Sequence, residues 1–195
     1  MNHFRGPVQV RSLASNFWAL GADGVYLFNF FGVPGQEVNP GWGASDASSL
    51  QEIGAVETLR KKDKVYLADS GETLTYIGYS NPESQFPVRL IGEREVELVV
   101  GDDLHAAAAE GSLKELRLEF NVGGIGAGEQ VQVQVNGVDV PPGRIARTRF
   151  DVFAADLEAG MMRRGINRFR FAPGTNSAGR LTAQVGGMKL HVQYR

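Results

Sequence analysis

Apolar positions recur along this chain with two periods, and the change from one to the other falls near residue 65. Val10, Leu13, Ala14 and Phe17 share one face at a spacing of 3.6, which predicts a helix over residues 7–20. Pro7 suits its first position, and Gly21 is placed for the left-handed residue that ends a helix. Val25 to Phe31 is a continuous apolar run bounded by turn residues, the pattern of a strand covered on both faces. A polar loop follows from Gly32 to Ser48. Ser48 or Ser49 can cap a short helix carrying Leu50 and Ile53 and stopped by Gly54. Val56 to Arg60 forms another helical turn, and Lys61-Lys62-Asp63-Lys64 reads as a solvated exit. The first 64 residues thus spell an α–β–α segment.

Beyond it the period is two. Candidate strands cover 64–68, 74–78, 86–91, 94–100, 113–121, 130–135, 138–140, 145–152, 166–172, 180–185 and 188–194. Val131-Gln132-Val133-Gln134-Val135 alternates strictly and runs into Asn136-Gly137, a strong two-residue hairpin signal. Leu116, Leu118 and Phe120 alternate with Arg117 and Glu119, and Leu190, Val192 and Tyr194 with His191 and Gln193. Such strands have one wet and one buried face, as in a sandwich. Their spacing of about ten residues predicts a jelly-roll-like antiparallel β-sandwich over residues 65–195. Ala106 to Ala109 reads as one helical turn between strands.

Composition narrows the function classes. With 20 basic and 22 acidic residues the net charge is −2, which gives no electrostatic case for nucleic acid or an anionic membrane. The chain has no cysteine, which removes disulfides, thiolate metal sites and cysteine nucleophiles while leaving the compartment undecided. No apolar stretch approaches the ~20 residues needed to span a bilayer. Met1 to Pro7 carries one arginine and no apolar core, so it does not read as a signal peptide.

Two resemblances attach to particular residues. Gly21-Ala22-Asp23-Gly24-Val25-Tyr26-Leu27-Phe28-Asn29-Phe30-Phe31, with Leu50-Gln51-Glu52-Ile53-Gly54 and Leu59-Arg60-Lys61-Lys62-Asp63-Lys64, resembles the eighth strand and helix of bacterial (β/α)8 proteins akin to glycoside hydrolases. Val100-Gly101-Asp102-Asp103-Leu104, Val133-Gln134-Val135-Asn136-Gly137, Gly165-Ile166-Asn167-Arg168-Phe169 and Leu190-His191-Val192-Gln193-Tyr194 resemble the galactose-binding-like jelly-roll modules attached to many glycosidases. A complete barrel needs about 250 residues and eight strands. The resemblance implies that catalytic carboxylates belong at the ends of the fourth and seventh strands, and this chain has neither strand. Two readings follow. The chain is a non-catalytic accessory module, carbohydrate-binding or scaffolding, whose α–β–α piece docks on the sandwich or on a second copy. Alternatively it is part of a glycoside hydrolase whose remaining barrel strands lie elsewhere.

The candidate binding residues follow from that placement. Asn29 is the one polar side chain inside the apolar strand and lies near its C-terminal end, where barrel sites gather. It reads either as a partner for a substrate hydroxyl or as a satisfied buried amide. Phe31 ends the same strand. Trp42, between Gly41 and Gly43, offers a flat face for a sugar ring or anchors its loop. Trp18 reads as packing. Asp102 and Asp103 could supply oxygen ligands to a structural calcium ion, or form a turn and cap the Ala-rich segment. His3, His105 and His191 lack metal-site spacing. Gly123-Gly124-Ile125-Gly126-Ala127-Gly128 reads as a hairpin loop rather than a phosphate cradle, since no helix follows it. Arg163, Arg164, Arg168 and Arg170 read as solvated faces.

Overall fold

The computed structural model describes residues 7–25, 47–69, 85–91, 94–174 and 183–195. The expected strand residues 26–31 and 74–78, His3, and the candidate site residues Asn29, Phe31 and Trp42 lie outside the described residues.

The order is helix α1 (Pro7–Ala19), α2 (Ala47–Ile53), α3 (Val56–Leu59), strands β1 (Lys64–Asp69), β2 (Val88–Arg89) and β3 (Arg94–Val100), helix α4 (Leu104–Ala109), then seven strands. These are β4 (Leu113–Gly123), β5 (Val131–Val135), β6 (Val138–Asp139), β7 (Ile145–Arg149), β8 (Val152–Asp156), β9 (Gly165–Pro173) and β10 (Gln184–Tyr194). One sheet runs β1–β10–β4–β8–β7, with β2 also on β10, and the other runs β3–β9–β5–β6. All the pairings are antiparallel.

The pairs are nested. The hairpin β5–β6 lies innermost in sequence, β4 pairs with β8 around it, β3 with β9 around that, and β1 with β10 outermost. A long hairpin folded over in this way gives two facing four-stranded sheets, β1–β10–β4–β8 and β3–β9–β5–β6, which is the jelly-roll order. The fold is mainly β, and the expected sandwich is present.

Alternation places the core between the sheets. Leu118, Phe120 and Val122 of β4, Met188, Leu190 and Val192 of β10, and Phe169 and Phe171 of β9 are all fully buried. Phe120 stacks on Phe153 with ring centroids 5.6 Å apart and tilts against Phe171 at 5.1 Å. Burying several such side chains, each worth roughly 1.5–3 kcal/mol, accounts for much of the drive to form the sandwich. Asn136 (φ 51°) and Gly137 (φ 86°) make the tight turn that their dipeptide predicts.

Several expectations are corrected. Residues 145–152 cover all of β7 and the first residue of β8, because the chain reverses at Phe150-Asp151 without any glycine, proline or asparagine to mark the turn. From Gln184 onward, the two strands expected at 180–185 and 188–194 are the single strand β10. It continues through Gly186, where the register with β4 shifts. Helix α2 begins at Ala47, so Ser48 and Ser49 both lie inside its first turn and neither is its cap residue. Helix α1 buries Val10 and Ala14 as expected, but Leu13 and Phe17 stay 37% and 39% exposed while Ser12 and Ser15 are buried. The serines face the sandwich.

That exchange explains how α1 sits. It packs against β1 and β3, the strands that border one side of the opening between the sheets. The Ser12 hydroxyl bridges Gln9 O (2.8 Å) and Val65 O (2.7 Å), engaging a carbonyl of the edge strand β1. Arg11 reaches Glu52 of α2 through Nε (2.5 Å) and Nη2 (3.3 Å), and this fork holds the Glu52 carboxyl below its usual range. Val10, Ala14, Ile53 and Leu59 form a small second cluster with Trp18 beside it.

Candidate functional site

The strongest convergence of ionisable side chains among the described residues lies where α1 meets the sandwich. Its origin is a glycine. A Cβ on Gly101 would fall 2.2 Å from the Ser15 carbonyl oxygen, so only glycine lets the end of β3 touch the helix backbone. The next residue, Asp102, is thereby aimed into the junction.

Asp102 accepts on both oxygens. Ser15 Oγ donates to Oδ1 at 3.0 Å, and Tyr194 donates its phenolic proton to Oδ2 at 2.6 Å. Lys64 Nζ lies 3.0 Å from Oδ2; its side chain is fully buried, and that of Asp102 is 10% exposed. The other two ammonium hydrogens go to Leu59 O (2.6 Å) and Lys62 O (3.1 Å). The ammonium also stands 5.4 Å from the centre of the Tyr194 ring. Tyr66 completes the group, its hydroxyl 3.5 Å from Ser15 Oγ.

Burial sets the acidities here. It pulls Lys64 below the usual lysine value, with the Asp102 charge offsetting only part of the effect. Burial, then the adjacent Asp102 charge, push Tyr66 and Tyr194 well above the usual tyrosine range. A cavity of about 240 Å³ opens beside this group, with Trp18, Leu59, Ala106, Arg164 and Tyr194 among its walls. Arg164 Nε donates to Gly101 O at 3.2 Å, and Arg60 and Lys61 pair with Glu110 at the rim.

Asp103 turns away from Asp102 and caps α4, accepting from the Ala106 N–H at 2.9 Å. Calcium takes six to eight oxygen ligands. Among the described residues no group of three or more His, Cys, Asp or Glu side chains could hold a metal ion. With Asp102 already bonded on both oxygens and Asp103 committed to a cap, the two carboxylates do not fit a shared calcium site. The turn-and-cap alternative describes their geometry.

Lys64 corrects the reading of residues 61–64 as a solvated exit, because it is 1% exposed. The signal that could have found it is phase: Lys64 and Tyr66 are two apart in a strand, hence on one face. Ser15, Gly101 and Tyr194 were also missed as site residues, since nothing local in sequence links them. Trp18 packs as expected and donates from Nε1 to Ile53 O at 2.9 Å. His105 has a ring nitrogen 3.0 Å from Met162 O. His191 lies opposite Val65 and Arg117 on the outer face of its sheet, where burial holds it below the usual histidine value.

Fold and junction together define a jelly-roll β-sandwich with a helical cap bonded to one side of it. No family model matches the chain, and a search of curated proteins finds no match either. Among the described residues no helix is long and apolar enough to cross a membrane.

Proposed function

We propose that this chain acts as a non-catalytic accessory module of a glycoside-hydrolase-like protein, binding carbohydrate or holding neighbouring parts in place. One observation carries the non-catalytic part. The acid, amine, phenol and hydroxyl that meet at the junction are all bonded to one another: Asp102 to Lys64, Tyr194 and Ser15, and Lys64 to two further carbonyls. A general acid or base needs a titrating proton within reach of substrate. Here the carboxylate is encircled by donors, and the amine is sealed from solvent. The arrangement supports a docking role, in which the group fixes α1 to the sandwich.

The test uses the full chain. Incubated with 4-nitrophenyl glycosides, it releases no nitrophenol above the buffer rate, and light scattering with size-exclusion chromatography shows whether it self-associates. Release that disappears in Asp102→Asn would overturn the reading and make the junction an active site. Binding on a glycan array separates a carbohydrate-binding role from scaffolding alone.

A further inference from the structure

The opposite side of the sandwich, bordered by β7 and β6, is built differently. Arg147 on β7 stands across from Phe153 in register, so both point to the inner face at the open side. Its Nη1 donates to Gly126 O at 2.7 Å and its Nη2 to Ile125 O at 3.1 Å, which pins the glycine-rich loop between β4 and β5. Its Nε is buried without a hydrogen-bond partner among the described residues. The guanidinium carbon lies 5.1 Å from the Phe153 ring centre and 5.9 Å from that of Phe150. Phe150, at the tip of the β7–β8 hairpin, is 88% exposed. Beside Arg147 is a cavity of about 220 Å³, lined also by Gly128, Glu129, Gln130, Pro142 and Ile145.

We infer that this flank binds a neutral saccharide, stacked on Phe150 and hydrogen-bonded in the cavity by Arg147, Glu129 and Gln130. The inference rests on the accessory-module reading and names its ligand site. A pyranose ring has an apolar C–H face and a rim of hydroxyls that both donate and accept. The flank offers the matching set: a flat apolar ring, a guanidinium, an amide, and a carboxylate of which one oxygen already accepts from the Gly126 N–H. The guanidinium and the Glu129 carboxylate line one cavity with opposite charges, which favours an uncharged ligand. Arg149 and Asp151 on either side of Phe150 are exposed and charged, so the ring is isolated. One ring falls far short of the roughly 1,000 Å² a protein interface requires, whereas it suits a ligand the size of a sugar. Arg147 holds the loop and hairpin in place before any ligand arrives, which limits the ordering cost of binding.

The experiment is a ¹H–¹⁵N titration of the full chain with glucose, galactose, mannose and N-acetylglucosamine, extended to oligosaccharides by a glycan array. At least one saccharide is expected to bind and to shift amides within 126–131 and 147–153. Phe150→Ala should weaken that binding about tenfold at unchanged melting temperature, and Phe150→Trp should restore it. Binding that survives Phe150→Ala undiminished, or shifts confined to the α1 side, would overturn this site and leave the carbohydrate-binding reading standing. No binding to any saccharide would overturn the site and reduce the module to scaffolding. Aryl-glycoside hydrolysis is the separate result that would overturn the accessory reading itself.

Discussion

Where the two sheets part at β1 and β3, helix α1 fills the opening and buried polar groups bond it there. Where they part at β7 and β6, an arginine and a glycine-rich loop close the opening, with an exposed ring at the hairpin tip. On the first side Lys64 and Asp102 meet several partners each, and the serines of α1 take the places an apolar stripe would occupy. On the second side a buried donor is left unmatched and a phenylalanine stands in water. A buried polar group without partners costs stability. The first side uses a charged network to hold a helix, although Gln9, Asn16 and Ser49 each keep a buried oxygen without a partner among the described residues, and the second leaves an aromatic ring exposed. That contrast can be broken by substitution.

The largest effect is expected at Asp102. Asp102→Ala leaves the Lys64 ammonium buried with no counter-charge, and losing one partner of a buried pair costs about 3–5 kcal/mol. Urea unfolding followed by circular dichroism measures it. Lys64→Met combined with Asp102→Asn should recover part of the loss, because it removes the stranded charge and keeps an acceptor for one of the Tyr194 and Ser15 hydroxyls while the amide N–H can donate to the other. A loss below 1 kcal/mol in Asp102→Ala would show that the junction does not hold the helix. The contrast between the two sides would then fail.

Gly101→Ala is expected next. Its methyl group would lie 2.2 Å from the Ser15 carbonyl oxygen, so either the helix or the end of β3 must move. Overpacking of this kind costs about 1–3 kcal/mol. The hairpin side supplies the control: Gly128→Ala meets no atom within 4 Å, and its penalty comes only from the positive φ of 86°. If Gly101→Ala proves the milder of the two, close helix contact is not what that glycine provides.

The sequence conveyed the sandwich and hid the contrast. Alternation in β4, β5 and β10 reports which face is buried, because burial in a sheet has the same period as the strand. Nothing in that period states which strand lies beside which. β1 and β10 pair across most of the chain, Lys64 opposite Val192, and only the complete nest makes them neighbours. β8 was read only as the tail of its neighbour, since Val152-Phe153-Ala154-Ala155 is buried on both faces and small residues blur the alternation. Asp102 was legible as a candidate but not its partners, which come from α1, β1 and the last strand. Gly101 shows why. A glycine in a loop reads as a turn, and the backbone passing beside it is visible only after folding. Phe150 is hidden inside a predicted strand for a similar reason, in that Asp151 is the single turn-forming residue of its reversal and no glycine or proline marks it.

The smallest expected effect is an alkaline one, and its sign follows from the tyrosines. Tyr66 and Tyr194 have their pKa values raised in the fold, so they stay protonated above pH 10 while the unfolded chain ionises. Each such group contributes stability that is fully present below the unfolded tyrosine value and is lost as pH rises toward the folded one. Lys64 is shifted downward and acts oppositely, since the folded chain gives up its proton first and gains stability over part of the same range. Two protons retained against one released leave a net loss of stability with rising pH. Tyr194→Phe removes one retained proton. Its unfolding free energy should therefore fall less steeply than that of the natural chain, by up to one proton, or about 1.4 kcal/mol per pH unit once unfolded tyrosine is ionised. Urea titrations at half-unit steps from pH 9 to 11 read that difference directly. Phe150→Ala, on the hairpin side, should run parallel to the natural chain across the same range. Parallel curves for Tyr194→Phe as well would mean that its phenol is open to solvent, and the α1 side would then be no more closed than the other.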